Sequence, residues 1–486
     1  MTRVALVAPA DSLRPMLVRV AAAGVVDIDV VPPEDAAAEP RGAAGRLLRQ
    51  AGVGAASGAP PRLSALPPDL DELLRSERLD LIAGEAELEE HLAGAIRSGH
   101  VAALAGWMPE EARADLAAGL AEVGAAVLPL PRPGGVEAPT LLGGGELRRS
   151  LTPLVSTYGT VPYRDIDPTP LAWLAYVLMF GMMFGDAGHG ALLLLAAAAL
   201  FAGRARRLRR FHRAWPFVAG AGVTSTIFGL LYGEFFGPTH VVPVLWLAPL
   251  EEPMRLLGAA LAVGAVLLVG AYAIGTLNRR REGGWRMALY DPTGVAGAAA
   301  FIGLIAAGGG LYLGMPALII GGGALGATGL VLALVGFLAA AGRGVTAVVE
   351  ATVELFDLVV RLGANLVSFT RLAAFGMTHA ALGAIVWTGT VALWGMGVLG
   401  AVSACALFVL GNALAFSLEA LVAGIQALRL EYYELFSRLF QSQGRVFRPW
   451  HVPTVANDAD HADHAGDADV VKGANDAKEQ EPCPQS

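Results

Sequence analysis

The chain has 486 residues, is 55% hydrophobic and has a positive mean hydropathy of +0.54. That composition excludes an ordinary soluble globular protein and a disordered one, and it indicates a polytopic membrane protein. The formal charge of −8 comes mostly from the C-terminal end, where residues 451–486 hold eight acidic residues and two Lys, so no nucleic-acid partner is expected.

Only Cys405 and Cys483 are cysteines, so no disulfide framework is expected. Lys472 and Lys478 are the sole lysines, so 33 of the 35 basic residues are Arg. With the Ala and Gly richness, that usage suggests a high-GC bacterial source. MTRVALVAPADSLRP lacks a long apolar run, so no signal peptide is expected.

Residues 1–150 read as a small cytoplasmic α/β or α+β domain. VALVAP and VVDIDVVP have strand character around a helix over Ser12–Ala23. Residues 34–68 read as a linker. A charged, helically spaced stretch covers 69–99, VAALAGWMP reads as a strand, and Glu110–Val123 reads as a helix. The acidic residues here read as a solvated face, with no catalytic spacing. Residues 151–170 form a Pro-punctuated approach to the membrane.

The membrane domain, 171–450, holds apolar blocks at 171–185, 187–203, 215–237, 255–277, 294–313, 318–341, 363–398 and 400–433. The first two are short for a span of about 20 residues. They are divided by Gly185-Asp186-Ala187-Gly188-His189-Gly190, a break that must be covered by protein or lie at the interface. RARRLRRFHR (204–213), NRRR (278–281), Arg343 and Arg438, Arg445 and Arg448 make one set of connections basic. Loops 238–254 and 314–317 differ, with Arg and Lys missing from 314–317 and Arg absent through PTHVVPVLWLAPLEEPM. The positive-inside bias places the basic loops in the cytoplasm. Together these expectations give an α-helical polytopic membrane protein with eight transmembrane helices, both termini cytoplasmic, in the plasma membrane.

Two polar groupings stand out. Glu350, Glu354, Asp357 and Arg361 share one helical face, either as a solvated cytoplasmic helix or as a polar approach for ions. Asn412, Glu419 and Gln426 recur in seven-residue steps beside Arg429, a polar stripe in an apolar helix. Between them lies GANLVSFTRLAAFGMTHAAL (363–382), with Arg371 in an apolar setting and His379 eight residues on. An Arg at bilayer depth costs about 3 kcal/mol or more and cannot shed its proton. Its charge therefore meets a partner, in this chain or in another subunit. Residues 451–486 read as a disordered acidic tail. His451, His461 and His464 lie there among Asp residues; a solvated tail is the preferred reading and no metal site is expected. GxxxxGK[ST] is absent and both Lys are in the tail, so no nucleotide site and no cofactor are expected.

PYRDIDPTP, FGMMFGDAGHG, IFGLLYGEFFG, FTRLAAFGMTHAAL and LRLEYYELFSRLFQSQGRVFRPW, in this order, resemble the a subunit, subunit I, of V-type and A-type rotary ATPases. The resemblance implies a stator subunit with two ion half-channels against a ring of proteolipid subunits, with its last two helices long and tilted. It implies further partners in the peripheral stalks and the catalytic ATPase sector. Arg371, in Ser368-Phe369-Thr370-Arg371-Leu372, falls on the Arg that faces the ring carboxylate. Arg429 falls on the second Arg, His379 on the family's His, Glu419 on a membrane Glu and Asp357 where the family often has Glu. Asn412, Gln426, Ser368 and Glu354 are candidate channel-lining residues. The family's arm runs to several hundred residues with a coiled-coil hairpin; here about 150 residues precede the membrane without a heptad pattern. The competing readings are a secondary ion transporter, which should show paired broken helices, and a membrane scaffold without transport.

Overall fold

The computed structural model describes residues 1–29, 42–50, 60–132, 136–141, 150–152, 154–155, 159–203, 211–439 and 444–455. The chain divides into two units, one of Met1–Thr140 with Arg445–Ser486 and one of Leu141–Gly444.

The first unit is an antiparallel sheet with helices. Strand β1 (Thr2–Pro9) alternates, with Val4, Leu6 and Ala8 buried. It pairs with β4 (Val101–Met108) on one side and β5 (Ala126–Pro129) on the other. Strands β2 (Asp27–Ile28) and β3 (Ile96–Ser98) share the far edge of β4. All pairings are antiparallel, so the domain is α+β. Helix α1 (Leu13–Ala23) buries Leu13, Met16, Leu17, Val20 and Ala21, at helical spacing, in the core built on the sheet. It ends at Gly24, whose φ of 60° is left-handed and whose N–H returns to Val20. Helices α2 (Ala43–Gln50), α3 (Leu70–Arg75), α4 (Leu79–Gly94) and α5 (Arg113–Ala121) complete the unit.

Arg445–Val455 belongs to this unit although it follows the membrane helices in sequence. Arg445 reaches Asp27 at 3.0 Å and Asp29 at 2.9 Å. The Trp450 ring lies 4.4 Å from that of His91, and its indole N–H donates to Glu87 at 3.1 Å. Val452 is buried, and Leu63 bridges to Thr454. The acidic stretch 456–486, with His461 and His464, lies outside the described residues.

The second unit is helical. Its members are α6 (Thr169–Met183), α7 (Ala187–Phe201), α8 (Trp215–Tyr232), α9 (Pro253–Tyr290), α10 (Val295–Leu313), α11 (Pro316–Ala341), α12 (Val345–Ser368), α13 (Thr370–Trp394) and α14 (Gly397–Leu430). Among the described residues, five helical stretches are long and apolar enough to cross a membrane: Phe211–Tyr232, Pro253–Tyr290, Val295–Leu313, Pro316–Ala341 and Gly397–Leu439. The last runs through a π-helical stretch, Glu431–Phe436. At 43 residues it is about 65 Å long, roughly twice the apolar thickness of a bilayer. Helices α6 and α7 are apolar but have 15 residues each. A single core of Phe180, Met183, Leu268, Phe369, Leu372 and their neighbours runs through the unit.

Candidate functional site

The site begins at the break between α6 and α7. Every residue from Gly181 to Gly190 is buried, so the break is covered by protein, the condition under which a non-helical backbone is tolerated within a bilayer. Asp186 makes the break possible. Its carboxylate caps α7 by accepting from the His189 N–H at 2.9 Å, and also accepts from the N–H of Phe236 at 3.0 Å and of Gly237 at 2.8 Å. The carbonyl of Phe184 accepts from the Ser225 hydroxyl, and the Ala187 N–H donates to the Glu234 carbonyl at 3.0 Å. Helix α8 approaches closely enough that a Cβ on Gly229 would stand 2.1 Å from the Ala187 nitrogen. Glycine is needed there for space.

Around this break, four ionisable side chains are withdrawn from solvent: Asp186, His189, Glu234 and His379, at 0%, 3%, 4% and 5% exposure. His379, on α13, donates from Nδ1 to the carboxylate of Glu419 on α14. Its ring stands 5.7 Å from that of His189 and 4.8 Å from Phe184. His189 Nδ1 lies 3.6 Å from Asp186 Oδ2. Asn412 is buried in the same region, donating to the Phe408 carbonyl at 2.9 Å. Phe236 and Phe416 close over His189, with ring centroids at 5.2 and 5.6 Å. Charged groups in such a setting are costly unless paired or used.

A second polar region lies where α12 meets the end of the last helix. Glu354, Asp357, Arg361, Asn365, Tyr433, Ser437 and Arg438 line a cavity of about 440 Å³. Asp357 pairs with Arg361 one turn on. With its amide turned to satisfy both ends, Asn365 donates to Glu434 at 2.7 Å and accepts from Arg438 at 2.6 Å. Arg438 also donates to the Tyr272 hydroxyl. Arg371, Arg438 and Arg429 all act electrostatically on the Glu434 carboxylate.

Five of the residues singled out by sequence fall into these two places. His379, Glu419 and Asn412 belong to the buried cluster, and Glu354 and Asp357 to the cavity. Ser368 donates to the Ala364 carbonyl at 3.0 Å, and Gln426 carries a buried Oε1 without a partner. Arg371 is partly buried near the start of α13. Among the described residues no carboxylate makes an ion pair with it, and its Nη1 is buried without a hydrogen bond. Arg429 is exposed on α14. Sequence reasoning missed Asp186, His189 and Glu234 as site residues, and also Asn365, Glu434 and Arg438. The signal was present: an ionisable residue inside an apolar block is a functional candidate in its own right.

This is a helical membrane protein that keeps a buried acid–base cluster and, among apolar helices, an Arg without an ion-pair partner among the described residues. Residues 97–246 match the family model described as the V-type ATPase 116kDa subunit family. The chain is 26% identical to the A-type ATP synthase subunit I of Pyrococcus horikoshii, over 76% of this chain and 57% of that protein. It is 27% identical to the A-type ATP synthase subunit I of Halobacterium salinarum, over 59% of this chain and 48% of that one. Against the V-type ATP synthase subunit I 2 of Treponema pallidum it is 36% identical over 28% of this chain and 32% of that one. Over these stretches the chain is similar to subunit I of V/A-type ATPases. It spans about half the length of the curated relatives it matches.

Proposed function

We propose that this subunit is the stator face of a rotary ATPase, forming two ion half-channels against a ring of proteolipid subunits. The observation that carries this reading is Arg371, a permanent cation in the membrane unit with no ion-pair partner among the described residues. Arg371 shares a helical stripe with Ala374, Thr378, Leu382 and Ile385, all exposed. On α14 a matching exposed stripe runs Leu410, Leu414, Leu418, Leu421, Ile425 and ends at Arg429. The turn at Gly395–Met396 joins the two helices, so both Arg residues lie at the end away from that turn. An apolar face with fixed positive charges at one end suits a passing carboxylate that is neutral in lipid and ionised beside Arg. The buried cluster and the cavity would be the two polar routes. The remaining helices would complete eight crossings, with the basic connections on the cytoplasmic side. Stalk subunits would hold the sheet unit, and ATP chemistry would reside in the catalytic sector.

The test is Arg371→Ala in the reconstituted complex, with ion uptake and ATPase rate measured together. Insertion and assembly should persist, because removing a charge eases placement in lipid. Coupled uptake should be lost. Normal coupled uptake would overturn the stator reading.

A further inference from the structure

We propose that Asp186, His189 and His379 bind a single divalent transition-metal ion of the Zn²⁺ type within the membrane unit. One ligand atom from each of the three lies within 4.8 Å of the other two. Tetrahedral Zn²⁺, with bonds of about 2.0–2.1 Å, sets ligand atoms roughly 3.4 Å apart. The widest pair must therefore close by about 1.4 Å at most. Asp186 is fixed by three backbone N–H groups, so the two imidazoles make that adjustment by turning about their side-chain bonds.

The donor set decides the class of ion. Two imidazoles and one carboxylate suit Zn²⁺, Cu²⁺ or Ni²⁺, whereas Mg²⁺ and Ca²⁺ require oxygen shells. The His189 ring is 3% exposed; the Asn412 amide is its side-chain hydrogen-bond neighbour and Asp186 Oδ2 stands 3.6 Å from its Nδ1, so both ring nitrogens are held among polar groups away from solvent. Glu419 already holds His379 through Nδ1. That is the carboxylate–histidine arrangement that orients a metal-binding imidazole and leaves its other nitrogen for the ion. The fourth position falls to water or to Glu234, whose Oε2 is buried without a partner. Asp186, Glu234 and Glu419 bring three carboxylates together, and among the described residues no Arg forms an ion pair with any of them. A dication would offset that negative charge. Glu234 also lines a cavity of about 210 Å³ with His240 and Glu251, which supplies a polar access route.

The functional consequence rests on the proposed half-channel reading: an ion held here would stand in the path and stop transport. The test uses the full chain in lipid nanodiscs, titrated with Co²⁺ followed by its visible d–d bands, and with Zn²⁺ followed by calorimetry. One tetrahedral Co²⁺ per chain is expected. His189→Gln should lower affinity at least tenfold, and Glu419→Gln by about 10- to 100-fold. Ions adsorbed by His461 and His464 are common to all three proteins and cancel in the difference. Because a buried variant can misfold, X-ray absorption of Zn²⁺-loaded wild-type chain gives a readout free of mutation. A shell with two imidazoles supports the site; an all-oxygen shell, or identical Co²⁺ binding by wild type and His189→Gln, overturns it. Zn²⁺ bound with this shell while ATP-driven uptake by the complex is unaffected would retain the metal site and remove the cluster from the ion path.

Discussion

Arg445 is a small lever on a large contact, and Arg445→Ala should loosen the segment that follows it. The guanidinium holds Asp27 at 3.0 Å and Asp29 at 2.9 Å, and Asp27 is otherwise 6% exposed. A hydrogen bond to a charged group contributes about 1.5–3 kcal/mol. Arg445 is 43% exposed, so solvent screening brings the expected loss to about 2 kcal/mol, roughly 30-fold in the opening equilibrium. Hydrogen–deuterium exchange on the purified chain reads this directly, in peptides covering 444–455 and 21–29. A pH dependence should accompany it. Burial holds the Asp27 carboxyl above its ordinary 3.8, against the lowering influence of Arg445. A raised acid stabilises the fold below its unfolded value and loses that contribution as pH rises through the folded value. Without Arg445 the folded value climbs further. The gap between wild type and variant should therefore be small near pH 4 and widen toward neutral pH. Exchange within twofold of wild type at neutral pH, or a gap that does not change with pH, would refute the reasoning.

Other substitutions probe separate parts. Gly229→Ala should destabilise the membrane unit by about 1–3 kcal/mol in thermal unfolding, since its Cβ meets the Ala187 backbone, while Gly258→Ala, with open space around it, should not. Burial lowers the His91 pKa beneath its ordinary 6.5, so the Trp450 contact should weaken as pH falls through that value. In His91→Phe the exchange of 444–455 should lose that acid sensitivity. Arg371→Lys should retain little coupled uptake, because Lys lacks the planar fork and can lose its proton when desolvated. In a background without Cys405 and Cys483, His240→Cys should label from outside and Trp285→Cys from the cytoplasmic side; the reverse pattern would overturn the proposed topology.

The sequence was most legible where periodicity and composition act alone. Alternation in VALVAP and VAALAGWMP marks β1 and β4, and the spacing of Leu13, Met16, Leu17 and Val20 marks α1. Long apolar runs mark the candidate spans. What stayed hidden depends on contacts distant in sequence. Nothing local says that Arg445 will meet Asp27, 418 residues away, or that Trp450 will pack on His91. Within the site, the seven-residue steps of Asn412, Glu419 and Gln426 give a face of α14, but not the partner of Glu419. Asp186, His189 and Glu234 look like turn and cap residues in sequence, since glycines flank them. Asp186 is indeed a cap, and only the packing of α8 and α13 around it turns a capping residue into part of a charged cluster.

On the proposed reading, the two polar regions account for the place of Arg371, which has no ion-pair partner among the described residues. The buried cluster meets α13 at His379, eight residues beyond Arg371, about 12 Å along the helix. The cavity is lined by α12, up to Asn365, and by the end of the last helix. Between Asn365 of the cavity and His379 of the cluster, the chain passes through the buried apolar residues Phe369, Leu372 and Ala373, each 1% exposed or less. A cation crossing directly from one region to the other would leave its polar partners for those apolar residues and approach a fixed positive charge at the same time. Both terms oppose passage, and neither depends on pH, because Arg does not deprotonate. On the proposed reading, an ion therefore crosses by the only alternative, transfer to a mobile carboxylate on another subunit that carries it around the exposed face of α13 and α14. A neutral residue at 371 would remove the electrostatic barrier while leaving the buried apolar residues, so in Arg371→Ala a slow uncoupled leak should appear as coupled uptake is lost. Proteoliposomes holding an imposed ion gradient, with the ATPase inhibited, would display that leak. A membrane as tight as wild type would show that the buried apolar residues alone seal the path.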